Sequence, residues 1–148
     1  MKSNFALIAL LALLVLGCQT ASFREPSARE PHAVVDARIS DTTFNIGILE
    51  LNGLPRSEMK MLGYIYRIPP GETSLFLRLV RSPIEASGTV YFVAEEGKEY
   101  GFSVAEDPES LTVHVVDADG NRAGESTTFD KEPIRSSGGG FPIVIPVR

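Results

Sequence analysis

Cysteine is almost missing from this chain: one among 148 residues, at position 18. That excludes an intramolecular disulfide and any zinc site built on several thiolates. Tryptophan is absent, and the two histidines, His32 and His114, stand far outside metal-ligand spacing. Basic charge is in short supply, with 14 Lys and Arg against 19 Asp and Glu, a formal balance of −5. Nucleic-acid binders carry a basic patch or stripe, so that class is disfavoured and no nucleic-acid partner is expected. No apolar run approaches the ~20 residues that a spanning helix needs. What remains is a length suited to one domain with tails, enough to bury a core without covalent staples.

The N-terminus is the most informative segment. Met1-Lys2-Ser3-Asn4 is polar with one positive charge, and Phe5 to Leu16 is an unbroken apolar run of twelve residues. Too short to span and lacking a polar face, the run reads as the hydrophobic region of a secretory signal. Val15-Leu16-Gly17-Cys18 follows, and it resembles the lipobox of bacterial lipoproteins. The resemblance implies lipid attachment at Cys18 and signal cleavage between Gly17 and Cys18. Gly17 leaves the scissile bond uncrowded, and a thiolate is a good nucleophile for taking up a lipid. Dual acylation gives stable attachment where one chain gives only marginal binding. Gln19, in place of an Asp after the lipid-bearing cysteine, resembles the pattern sorted to the outer membrane. Loss of residues 1–17 removes one lysine and no acid, giving a mature charge of −6. Such a domain is expected to be held off an anionic surface, with the lipid as its membrane contact.

Three segments are therefore expected: a signal peptide over 1–17, a lipidated N-terminus and tether over 18–33, and a β-sandwich over 34–148. The tether, with Pro26 and Pro31, holds no period, and Phe23 is its only large apolar residue, free to dock or to dangle. Beyond it, short alternating or β-branched runs are broken by turn residues. The expected strands are 34–39, 44–51, 62–68, 73–81, 88–94, 100–105, 111–117 and 141–147. Asn52-Gly53 predicts a tight turn, Pro69-Pro70-Gly71 a type II turn with Gly71 at positive φ, and Glu95-Glu96-Gly97-Lys98 a β-hairpin. Strands at this spacing predict an all-β fold: a single antiparallel β-sandwich of about seven to eight strands, immunoglobulin- or transthyretin-like.

Alternation assigns the faces. Leu75, Leu77 and Leu79 share one side with Arg78 opposite; Tyr100, Phe102 and Val104 share another. Near the C-terminus, Phe141, Ile143, Ile145 and Val147 line one face, and Pro142 and Pro146 strip one long edge of donors. That pattern predicts an edge strand, the rival being a tail that docks on a partner.

The middle of the chain shows a second resemblance. Leu51-Asn-Gly53, Tyr66-Arg-Ile-Pro-Pro-Gly-Glu72, Leu75-Phe-Leu-Arg-Leu79, Val90-Tyr-Phe-Val-Ala-Glu-Glu-Gly-Lys-Glu-Tyr100 and Val113-His-Val-Val-Asp117 are similar to PEGA-like or carboxypeptidase-regulatory-like β-sandwiches of bacterial envelope proteins. It covers about residues 44–120. It departs from the pattern at Asn52, where Asp is commoner, and at Glu96, where a small residue is commoner. The resemblance implies a fold and carries over no catalytic residue.

Little in the sequence points to chemistry. No motif assembles a nucleophile, a histidine and an acid. No catalytic residue, metal ligand or cofactor is therefore assigned, and the chain is not expected to be an enzyme. His114 alternates with Val113 and Val115 and is expected at the surface. Asp117-Ala-Asp-Gly-Asn121 reads as a turn capped by its own side chains, with weak calcium binding by Asp117, Asp119 and Glu125 as the rival. Glu95, Glu96, Glu99, Glu106, Asp107 and Glu109 suggest an acidic surface suited to a basic partner. Tyr64, Tyr66, Tyr91 and Phe92 are candidates for stacking on sugars, with sheet packing as the default. The expected role is non-enzymatic interaction in the cell envelope, through an envelope protein partner. The alternative is a carbohydrate- or peptidoglycan-binding module on cell-wall glycan, and the third an enzyme of unrecognised type.

Overall fold

The longest alternating run lies at the centre of the fold. In a computed structural model that describes residues 23–59 and 63–134, strand β5 (Gly71–Arg81) buries Thr73, Leu75, Leu77 and Leu79 and turns Glu72, Ser74, Phe76 and Arg78 outward. Its hairpin partner β6 (Ile84–Ala94) pairs with it over its whole length, from Arg81↔Ile84 to Gly71↔Ala94. Each fully buried Leu or Val side chain contributes about 1.5–3 kcal/mol, so the period-2 pattern fixes which face meets the core.

Among the described residues, ten strands form two five-stranded sheets. The first strands in chain order are β1 (Ala33–Ser40), β2 (Asn45–Leu51) and β3 (Leu54–Pro55), followed by the single helical turn α1 (Arg56–Met59) and β4 (Ile65–Ile68). After β6 come β7 (Glu99–Glu106), β8 (Ser110–Asp117), β9 (Thr127–Asp130) and β10 (Glu132–Pro133). One sheet has the order β4-β1-β7-β8-β9 and the other β10-β6-β5-β2-β3. Their inner faces share one core, including Val35, Ile48, Ile68, Leu77, Val90, Phe102, Leu111 and Val115. The fold is an all-β sandwich, antiparallel throughout except where β1 runs parallel to β7. The two share a sheet without sharing a turn, since the chain visits the other sheet twice between them.

Turn chemistry is mostly as the sequence predicts, but its consequences differ. Asn52 and Gly53 both take positive φ (50° and 77°) in the tight β2–β3 hairpin. The Asn52 Oδ1 accepts the Ser74 N–H at 2.7 Å. Gly71 also takes positive φ, 124°, at a corner where the chain passes from β4 in one sheet to β5 in the other. The turn at 95–98 closes with Lys98 N–H donating to the Glu95 carbonyl at 3.2 Å. It is not a hairpin: β6 and β7 belong to different sheets, so this turn too is a corner. Tyr100 anchors it, its hydroxyl oxygen accepting the Glu95 N–H at 2.9 Å, much as the tyrosine corner of other sandwiches does.

The end of the expected tether lies on the domain. Phe23 packs against the core, and the Glu25 carboxylate accepts the backbone N–H of Arg67 on edge strand β4. The apolar run, Gly17, Cys18 and the expected strand at 141–147 lie outside the described residues. Among the described residues, no helix is long and apolar enough to cross a membrane.

Candidate functional site

The outer face of the β10-β6-β5-β2-β3 sheet carries the two most exposed large apolar side chains among the described residues. Register sets Tyr91 beside Ser74, Val93 beside Glu72 and Thr89 beside Phe76. Tyr91 and Val93 are 64% and 57% exposed, and Phe76 is half-buried between them and β2. These residues alternate with Val90, Phe92 and Ala94, which face the core, so the strand must present them to the outside. Arg78 and Glu85 form an ion pair on the same face, and Glu72 stands exposed beside Val93. Where β10 ends, a groove of about 320 Å³ lies beside Gly88, lined by Arg78, Glu85, Ser87, Thr127 and Phe129. The band lies on the outer face of a sheet, a setting that suits a macromolecular surface better than a small ligand held in a concave site.

The opposite sheet holds a polar cluster that spacing in the sequence does not reveal. His114 does face outward, as the alternation predicts, but it is buried, with only 9% exposure. The expectation of a surface histidine is corrected here. Three segments crowd this part of the sheet. Residues of β1 bulge over β7, placing Ile39 against Gly101; Asp41 reaches down to β7; and Arg122 pairs with Val116 beside it. Burial lowers the His114 pKa, Arg122 pushes the same way, and Asp41 opposes both. Its Nδ1 has no hydrogen-bond partner.

Ser103 sits opposite His114 in the β7–β8 ladder. Its hydroxyl donates to Asp41 Oδ2 at 2.7 Å, and the Val104 N–H donates to Oδ1 at 2.9 Å. Burial pushes the Asp41 pKa up, but these hydrogen bonds outweigh it and hold the carboxyl below its usual value. A serine, a histidine and a carboxylate thus stand together, but not in relay order. The carboxylate accepts the serine's hydrogen bond directly, with no imidazole between them, whereas a triad needs the histidine in that place. The cluster is a clasp that ties the β1–β2 loop to β7.

The acidic residues do not form one patch. Glu95, Glu96 and Glu99 lie at one end of β7 and Glu106, Asp107 and Glu109 at the other, separated by an eight-residue strand spanning about 23 Å. Glu106 is held between Arg81 and Lys131, whose hydrogen bonds bring its pKa down to about 2. Arg81 also lies over the Phe44 ring at 4.2 Å.

In the 117–121 loop, Asp117 Oδ1 accepts the N–H groups of Asp119 and Asn121 at 3.0 and 2.8 Å, the Asx-capped turn that the sequence predicts. The Asn121 backbone bond is the leading cause of a lowered Asp117 pKa. Asp119 and Glu125 are exposed. Among the described residues, no three His, Cys, Asp or Glu side chains are placed to hold a metal ion. The four aromatic candidates also separate. Tyr66 and Phe92 are buried, Phe92 edge-on to Tyr100 with ring centroids 5.0 Å apart. Tyr64 and Tyr91 are exposed, but on different sheets.

Gly17 and Cys18, the residues singled out for signal cleavage and lipid attachment, lie outside the described residues. No family model, no curated protein and no solved structure matches the chain.

Proposed function

We propose that this chain is the precursor of a bacterial lipoprotein, mature from Cys18, anchored in the outer membrane and facing the periplasm. Its sandwich has a non-enzymatic interaction role in the cell envelope. The sequence Val15-Leu16-Gly17-Cys18 after a twelve-residue apolar run supports the anchor. The observation that carries the interaction role is the exposure of Tyr91 and Val93 beside half-buried Phe76 on the outer face of one sheet. An exposed tyrosine flanked by apolar area and a polar rim of Ser74 and Thr89 is the anatomy of a protein contact. The occupant is an envelope protein.

A glycan is the second reading, supported by the same Tyr91 ring between two hydroxyl-bearing neighbours. A photo-crosslinking residue at position 91 in growing cells separates the two, with position 128 on β9 as the control. A discrete, protease-sensitive adduct from 91 alone supports the protein partner. An adduct released by muramidase and resistant to protease supports the wall-binding reading. Equal labelling from 91 and 128 overturns the assignment of this face.

A further inference from the structure

We propose that in the acylated protein the β4–α1 side of the sandwich rests on the bilayer surface, with Tyr64 and Ile65 at headgroup level and the β9 side turned away. The proposal rests on acylation of Cys18. It departs from the expectation that an acidic domain is held off the membrane, because the charge is unevenly placed.

The length of the leash comes first. Phe23 is packed on the core, and Glu25 is fixed to β4 by its bond to the Arg67 N–H. Only five peptide steps separate Phe23 from Cys18, a reach of about 18 Å even when fully extended. Strands β4 and β9 are the two edges of one five-stranded sheet, four strand spacings or about 19 Å apart. The β9 edge could meet the bilayer only with the leash drawn to its limit, at the largest entropic cost. The β4 edge reaches it with slack.

Charge selects the same side. The described residues of 23–32, 54–59 and 63–68, which form the docked segment, α1 and β4, hold four basic side chains (Arg24, Arg29, Arg56, Arg67) against three acidic ones. Residues 107–134, which lead through β8 to β9 and β10, hold seven acidic against two basic. The first side is close to neutral and the second strongly acidic, so an anionic bilayer repels the second far more than the first.

Exposed side chains complete the match. Tyr64 and Ile65 are 52% and 47% exposed at the start of β4, and the Arg56 guanidinium is tied beside them through the Gly63 carbonyl at 3.3 Å. Tyrosine, a branched aliphatic and arginine are residue types that settle at a membrane–water interface.

The test uses the protein expressed from the full chain, purified from membranes and reconstituted in phosphatidylcholine–phosphatidylglycerol vesicles. Since Cys18 is the only native cysteine, Ile65→Cys and Thr128→Cys each add one reactive thiol for an environment-sensitive fluorophore. The expected result is a blue-shifted emission at 65, lost when quencher-bearing lipids are included, with a water-like, unquenched signal at 128. Equal, water-like signals at both positions would overturn the proposal. So would a blue shift at 65 that persists in detergent and grows with protein concentration, since that assigns this side to a second copy of the chain. Labelling of the unmutated protein reports separately on the anchor: a reactive Cys18 means that the acylation reading has failed, whatever happens at 65.

Discussion

Gly101→Ala is the substitution that probes the packing of this fold most sharply. Between the register pairs Val35↔Tyr100 and Ser40↔Phe102, β1 carries four residues where β7 has only Gly101. The surplus arches over the glycine. A Cβ at Gly101 would stand 2.4 Å from the Ile39 carbonyl oxygen and 2.6 Å from its Cγ2. The obstacle includes backbone, so no rotamer change relieves it. The arch is also pinned on both sides, by the Ala37 N–H on the Tyr64 carbonyl at 2.8 Å and by Asp41 on Ser103 and Val104. Overpacking of this kind costs about 1–3 kcal/mol. The loss of unfolded-state freedom on going from Gly to Ala returns about 0.4–1 kcal/mol. A net loss of about 1–2 kcal/mol corresponds to a fall in Tm of about 5–15 °C for a domain of this size. Gly47→Ala is the matched control, because its Cβ would meet only the Arg78 carbonyl oxygen at an ordinary 3.8 Å. Gly88→Ala should fall between them, since the obstacle there is the Phe129 ring, which can turn. Urea unfolding followed by tyrosine fluorescence, free of tryptophan signal, reads all three. Equal stability of the Gly101→Ala and Gly47→Ala proteins would refute the arch of β1 over β7.

Three further outcomes follow from single sites. The lowered His114 pKa means that the unfolded chain takes up a proton first, so stability present above pH ~6.5 is lost as the pH falls toward the folded-state value. Thermal melts at pH 7.5 and 5.5 should show that loss in the unmutated protein and a flatter dependence in His114→Gln; parallel curves would contradict it. Gly71→Val puts a β-branched side chain at φ 124° in open space, so backbone strain alone should cost about 1–3 kcal/mol in urea unfolding. Tyr100→Phe strips the Glu95 N–H of its acceptor and should cost about 1 kcal/mol, with faster amide exchange at Glu95 reporting the open corner.

How far the sequence reaches depends on the length of the element and on who covers it. The faces of β5 were legible because its alternation runs through Leu75, Leu77 and Leu79, and the full-length pairing with β6 keeps that period. β9 and β10 were not. Thr127-Thr128-Phe129-Asp130 has one buried side chain and becomes a strand through its pairing with β8, a long-range cause that no local pattern carries. Gly71 and Gly97 were readable as turn glycines, but positive φ does not tell whether the chain stays in its sheet or crosses to the other. His114 shows the same limit: its outward direction follows from period 2, whereas its burial and the approach of Asp41 and Arg122 belong to the three-dimensional arrangement. For the candidate contact face, the outward setting of Tyr91 and Val93 was implicit between Val90, Phe92 and Ala94. Their exposure depends on no described residue folding over that sheet, which only the three-dimensional arrangement reveals.

Mass spectrometry of the N-terminal peptide of the membrane-extracted protein tests the account at its root. The expected mature chain begins at Cys18, with a diacylglyceryl group on the thiol and an acyl group on the new amine. A chain that still begins at Met1, or one cleaved elsewhere with an unmodified Cys18, would contradict it.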